Sequence, residues 1–79
     1  MTTKPNVLQQ IRIKRNHTYR EAARISGVSR NTILNVEKGK ASPNLKTLYK
    51  LSNYYGLPIP EMIEVIQKIR SEQKELQVV

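Results

Sequence analysis

Residues 18–40 read TYREAARISGVSRNTILNVEKGK, and this stretch decides the fold. It parses as two short helices joined by a tight turn. Thr18 is placed to cap the first helix, and Glu21 three residues on completes a capping box. That helix runs to about Ser26, and its Ala22 and Ala23 add so little bulk that another backbone can come close. Gly27 supplies the permissive conformation that the turn requires. Ser29 caps the second helix, which continues to about Lys38 with Val28, Ile33 and Val36 directed inward. Gly39 ends it as a glycine just past the last helical residue.

Upstream, a helix is expected from about Asn6 to Arg15. Leu8, Ile11 and Arg15 share one face with Val7 nearby, and Asn16 tolerates the left-handed conformation of a sharp stop. Downstream, Ala41 to Asn44 form a short loop. Asn44 or Ser42 caps a fourth helix whose apolar stripe is Leu45, Leu48, Leu51 and Tyr55, and Gly56 stops it. Pro58 and Pro60 fit only a first helical turn, so a fifth helix starts near them. Nothing from Glu61 onward breaks it, and it extends to about residue 76 before the end frays. No strand, internal repeat or low-complexity segment is expected. The reading is all-α, five helices in one domain of 79 residues, with an extended C-terminal helix.

A chain this short buries only about 60% of its unfolded surface, so its stability is marginal and association with a second copy would help. There is no cysteine, which removes disulfides, thiolate zinc sites and thiol nucleophiles. His17 is the single histidine and lies in an expected turn, where a surface or backbone-contacting role suits it. The acids are six scattered Glu with no Asp, a poor basis for a metal site or for catalysis, so neither enzyme activity nor a cofactor is expected. No apolar run approaches a membrane span, and the first residues lack a signal-peptide hydrophobic region, so a cytoplasmic protein without membrane contact is expected. Charge is uneven. Residues 1–50 carry 11 Lys/Arg against two Glu, whereas residues 51–79 carry three against four. A basic half of this kind suits a polyphosphate partner with strong salt dependence, although a merely solvated basic face is an ordinary alternative. Four Tyr with no Phe or Trp make a poor stacking platform for single-stranded RNA.

The order of these features resembles the lambda-repressor-like helix-turn-helix family, also called the Cro/CI or XRE type. The matching residues are Leu8, Ile11, Arg12 and Arg15; Ala23, Gly27, Val28, Ser29 and Ile33; Val36-Glu37-Lys38-Gly39; Pro43, Leu45, Leu48 and Leu51; and Tyr55-Gly56-Leu57. The resemblance covers about Leu8 to Ile63. It implies that the helix from Ser29 enters the major groove of DNA, and that Arg12 and Glu37 form an ion pair fixing that helix. The chain departs from the family at Ala22 and Ser26, where larger apolar residues are frequent, so the core under helix 2 is lean or Ile25 repacks into it. Tyr19 replaces a frequent glutamine whose phosphate contact would pass to the tyrosine hydroxyl or be lost.

The positions matching the family's base contacts are Arg30, Asn31 and Asn35, with Thr32 and Leu34 secondary. An Arg can pair bidentately with guanine and an Asn with adenine. Thr18, Tyr19, Ser29, Lys38, Lys40, Asn44 and Lys46 surround the same groove and are the phosphate candidates. One such unit reads about half of a typical operator, so a homodimer is expected. Met62, Ile66, Ile69 and Leu76, with Gln73 between, have a heptad-like spacing. They would form a dimer seam, or Met62, Ile63 and Ile66 would instead cover the domain's own core. The function implied is a sequence-specific regulator of double-stranded DNA, most like a repressor from a phage or mobile element, with no small-molecule ligand in evidence. The alternative is an antitoxin-like protein whose C-terminal helix binds another polypeptide.

Overall fold

The computed structural model describes residues 5–77, with side chains described for 5–72. It holds five helices: α1 (Val7–Lys14), α2 (Tyr19–Ser26), α3 (Arg30–Glu37), α4 (Leu45–Tyr55) and α5 (Ile59–Gln77). There is no strand among the described residues.

Each of the first four helices starts on a side-chain cap. Asn6 and Thr18 build full capping boxes with Gln9 and Glu21, and Ser29 and Asn44 accept from the backbone N–H of Thr32 and Thr47. These caps satisfy donors that a helix cannot satisfy within itself. The stops are equally local. Asn16 adopts φ 62°, which turns the chain sharply between α1 and α2. Gly27 at φ 77° makes the turn between α2 and α3.

The core is formed by Leu8, Ala22, Val28, Ile33, Val36, Leu48, Leu51, Tyr54, Tyr55, Met62, Ile66 and Ile69. α2 packs against α3 and α4, α1 against α4, and α5 closes the far side against α3 and α4. Ala22 is fully buried, so the small side chain lets α2 approach its neighbours.

One expectation about packing is corrected, and two open alternatives are narrowed. Leu45 is 62% exposed, because the buried face of α4 runs through Leu48, Leu51, Tyr54 and Tyr55 and leaves the first turn outside. Ile25 is 55% exposed and does not repack under α2. Met62, Ile66 and Ile69 are 0%, 5% and 5% exposed within the single chain. Within the single chain they contribute to its own core, the second of the two readings of their spacing. Leu76 and Gln73 belong to α5, but their side chains lie outside the described residues.

Candidate nucleic-acid interface

The interface depends on how α3 is held. Its inner face carries Ile33 and Val36, both fully buried, and its last residue, Glu37, is also fully buried. A buried carboxylate is costly unless paired and hydrogen-bonded. Here Arg12 Nε donates to both carboxylate oxygens, at 3.0 and 3.1 Å, and the Tyr55 hydroxyl donates to Oε2 at 2.6 Å. Asn6 Nδ2 donates to the backbone carbonyl of Glu37 at 2.6 Å. Every buried side-chain polar atom among the described residues has a partner. The end of α3 is thus tied to α1 through Arg12, to α4 through Tyr55 and to the cap of α1 through Asn6.

Arg12 is fixed in turn. Its Nη1 donates to the carbonyl of His17 at 2.9 Å, and its guanidinium lies 4.0 Å from the centroid of the Tyr19 ring. This cation–π contact gives Tyr19 a structural task at the start of α2. His17 is not merely a surface residue, since its Nδ1 lies 2.7 Å from the Tyr54 hydroxyl. Burial pushes the Tyr54 and Tyr55 hydroxyls up from the ordinary tyrosine range; for Tyr55 the bond to the Glu37 carboxylate adds to the shift. Both therefore keep their hydroxyl protons, and the Tyr55 hydroxyl stays a neutral donor to Glu37. Tyr54 and the Tyr55–Glu37 bond escaped the sequence reading. The signal available was Tyr55 itself, which stands eighteen positions after Glu37 on an inward stripe.

With its back so anchored, α3 turns its other side outward. Arg30, Asn31 and Asn35 are exposed, and Thr32 and Leu34 are half-buried. The Ser29 hydroxyl is occupied at the cap: it accepts from the Thr32 N–H at 3.2 Å and donates to the Thr32 hydroxyl at 2.7 Å. Thr18 and Asn44 are likewise engaged as caps, with acceptor distances of 3.1 Å from Glu21 N–H and 2.9 Å from Thr47 N–H. Lys38, Lys40 and Lys46 are exposed at the end of α3, in the following loop and in the first turn of α4. Thr18, Tyr19, Arg20 and Arg30 line one open hollow, which brings the starts of α2 and α3 together. A helix N-terminus offers free N–H groups and a favourable dipole to a phosphate.

No cluster of metal-ligating side chains occurs among the described residues. No helix among them is long and apolar enough to cross a membrane.

Comparison with known proteins agrees with this geometry. A helix-turn-helix family model matches residues 8–62. The transcriptional repressor RstR of the cryptic phage CTXphi in Vibrio cholerae is 41% identical over 56 residues, covering 71% of this chain and 50% of RstR. An HTH-type transcriptional regulator of Methanocaldococcus jannaschii is 39% identical over 57 residues, covering 72% of this chain and 86% of that protein. The HTH-type transcriptional regulator PuuR of Escherichia coli is 36% identical over 61 residues, 77% of this chain but 33% of PuuR. The matched region is thus half of RstR and a third of PuuR. No solved structure matches. A capped turn between α2 and α3, an outward-facing α3 and a match across most of its length together place the chain in the lambda-repressor-like helix-turn-helix family of DNA-binding transcriptional regulators.

Proposed function

We propose that the chain is a sequence-specific repressor that works as a homodimer on double-stranded DNA. The observation that carries this reading is the division of α3 into two faces. Ile33, Val36 and Glu37 are locked inside, while Arg30 and Asn31 stand exposed at the amino end, where a recognition helix meets base edges, and Asn35 is exposed one turn further on. In this reading Arg30 takes guanine and the asparagines take adenine. Thr32 and Leu34 add contacts at the groove wall. Lys38, Lys40 and Lys46 neutralise phosphates, and the caps Thr18, Ser29 and Asn44 aim free backbone N–H groups at them. Tyr19 offers its hydroxyl to the same strand while its ring holds Arg12. Repression is steric, since a dimer over a promoter excludes polymerase.

Met62, Ile66 and Ile69 lie mainly in the core of the single chain, so the dimer contact is placed on the adjoining groove lined by Ser42, Pro43, Leu48, Ile63, Ile66, Gln67 and Arg70. Among the described side chains of α5, Ile63 is the large apolar one left exposed, at 39%. An antiparallel two-fold crossing of two α5 helices at Gln67 sets Arg70 of each copy against Glu64 of the other, a favourable pairing of opposite charge.

Selection from random duplexes at two salt concentrations tests the function. A recurrent two-fold symmetric site, with half-sites about 10 base pairs apart, is expected. Enrichment of no sequence would remove the reading. For the dimer contact, sedimentation of Ile63→Arg should show a monomer that keeps its helical content.

A further inference from the structure

The chain carries a second electropositive feature that shares no residue with α3. It is a hollow of about 470 Å³ lined by Arg15, His17, Ser26, Lys50, Asn53 and Tyr54, with Ile25 at its edge. Its volume falls in the range of small-ligand sites, roughly 300–1,000 Å³. None of its lining residues is acidic. Glu21 is within electrostatic reach of His17, but its carboxylate is occupied by the Thr18 cap.

Two of the nitrogen-bearing side chains around this hollow, Arg15 and His17, are held by the scaffold. The Arg15 guanidinium donates through Nη1 to the Tyr54 carbonyl and lies over the Tyr54 ring, 5.3 Å from its centroid. The rest of its fork remains for another acceptor. His17 is oriented through Nδ1 by the Tyr54 hydroxyl at 2.7 Å, which leaves Nε2. Lys50 Nζ reaches the Gly27 carbonyl at 3.4 Å, a long contact that a better acceptor would displace. The Asn53 amide completes the polar rim, beside a Ser26 hydroxyl that already donates to the Ala23 carbonyl and accepts from the Val28 N–H. Two cations, a further ring nitrogen and the Asn53 amide around one small space suit an oxyanion with several acceptor oxygens.

We propose that this hollow binds a phosphate-class oxyanion, with Arg15 and Lys50 as its charged ligands and Asn53 as a neutral one. The anion draws Lys50 away from Gly27, the residue whose left-handed backbone sets the turn into α3. Occupancy is therefore felt at the turn that aims the recognition helix. The same oxyanion chemistry could be presented by a free phosphorylated small molecule or by the backbone of a nucleic acid that passes this side of the protein.

Titration of the isotope-labelled full chain with inorganic phosphate, at constant ionic strength and followed by amide chemical shifts, tests the site. Saturating shifts at Ser26, Gly27, Lys50 and Asn53 are expected at millimolar phosphate, roughly 1–10 mM, the strength of a few solvent-exposed charge-assisted bonds. Lys50→Gln should weaken this about tenfold, equivalent to about 1.4 kcal/mol. Asn53→Ala provides a second variant, and each variant's own amide spectrum reports that it folds. In a parallel arm, wild type and Lys50→Gln are compared on a short duplex and on one extended by flanking base pairs. A loss confined to the extended duplex assigns the anion to nucleic acid; phosphate saturation with equal duplex binding assigns it to a free small molecule. Shifts limited to Tyr19, Arg30 and Asn31, or shifts unchanged by both variants with no duplex effect, would overturn the proposal while leaving the DNA-reading face intact.

Discussion

The Tyr55 hydroxyl donates to Glu37 Oε2 at 2.6 Å, with both side chains inside the protein. That bond links the middle of the core to the last residue of the recognition helix. Together with the Arg12 pair, it makes one carboxylate the point where α1, α3 and α4 meet. Removing a single partner should therefore cost far more than the net worth of the network. Arg12→Met is expected to destabilise by about 3–5 kcal/mol, because it strands a buried charge. Tyr55→Phe should cost about 1–3 kcal/mol, the loss of one bond to that charge. Urea unfolding of the single and double variants checks this. A double-variant loss equal to the sum of the single losses would show that the residues do not act as a unit.

Stability should fall in alkali. Tyr54 and Tyr55 hold their protons more tightly when folded, chiefly because burial disfavours the phenolate. Their contribution is complete below the unfolded tyrosine value, about 10, and is lost as pH rises beyond it. Each tyrosine contributes a slope of at most about 1.4 kcal/mol per pH unit. Urea midpoints measured from neutral pH upward should decline above that point, and Tyr54→Phe should flatten the decline.

On the acid side the sign reverses. The Glu21 carboxylate is held below the ordinary glutamate range, mainly by the Thr18 backbone N–H. The stabilisation from this capping box is present above about pH 4.3, the ordinary value, and is lost as pH falls through the depressed one. Glu21→Gln should remove that part of the acid dependence. An unaltered acid profile would show that the box contributes nothing measurable.

Gly27 tests backbone strain apart from packing. A Cβ built there meets nothing within 4 Å, yet φ is +77°. Gly27→Ala should destabilise by about 1–2 kcal/mol from the left-handed conformation alone. A neutral result would mean that the turn relaxes, and operator affinity should then change instead.

Much of this was legible in the sequence because it is written in local signals. Thr18 with Glu21, Ser29, Asn44, Gly27 and Gly56 each act within a few residues, and each stands where its chemistry requires. The inward positions of Val28, Ile33 and Val36 follow from helical spacing once those limits are set. The Arg12–Glu37 geometry spans 25 positions, and only resemblance to a family pointed to it. What was not legible depends on which neighbour covers a face. Spacing alone gives Met62, Ile66 and Ile69 either a foreign helix or their own core, and the packing of α5 on α3 and α4 decides for the core. Leu45 continues the apolar spacing of α4 but sits on a turn that nothing covers. Tyr54 combines a buried ring with a hydroxyl bonded to His17, a pairing between positions 37 apart that no local pattern announces.

The basic loop offers a direct electrostatic prediction. Lys40 is exposed just after α3. If it holds one phosphate per subunit, Lys40→Ala should reduce the slope of log affinity against log salt by about one unit per contact. An unchanged slope would remove Lys40 from the interface.

The central claim is that the amino end of α3 reads base pairs. Its most direct test is the affinity of wild type and Asn31→Ala for the selected duplex and for every single-base variant of it, at one salt concentration. The account predicts that Asn31→Ala loses discrimination at one position of each half-site, by about 1–3 kcal/mol, and keeps it elsewhere. An equal loss across all sequences, with every preference retained, would contradict it.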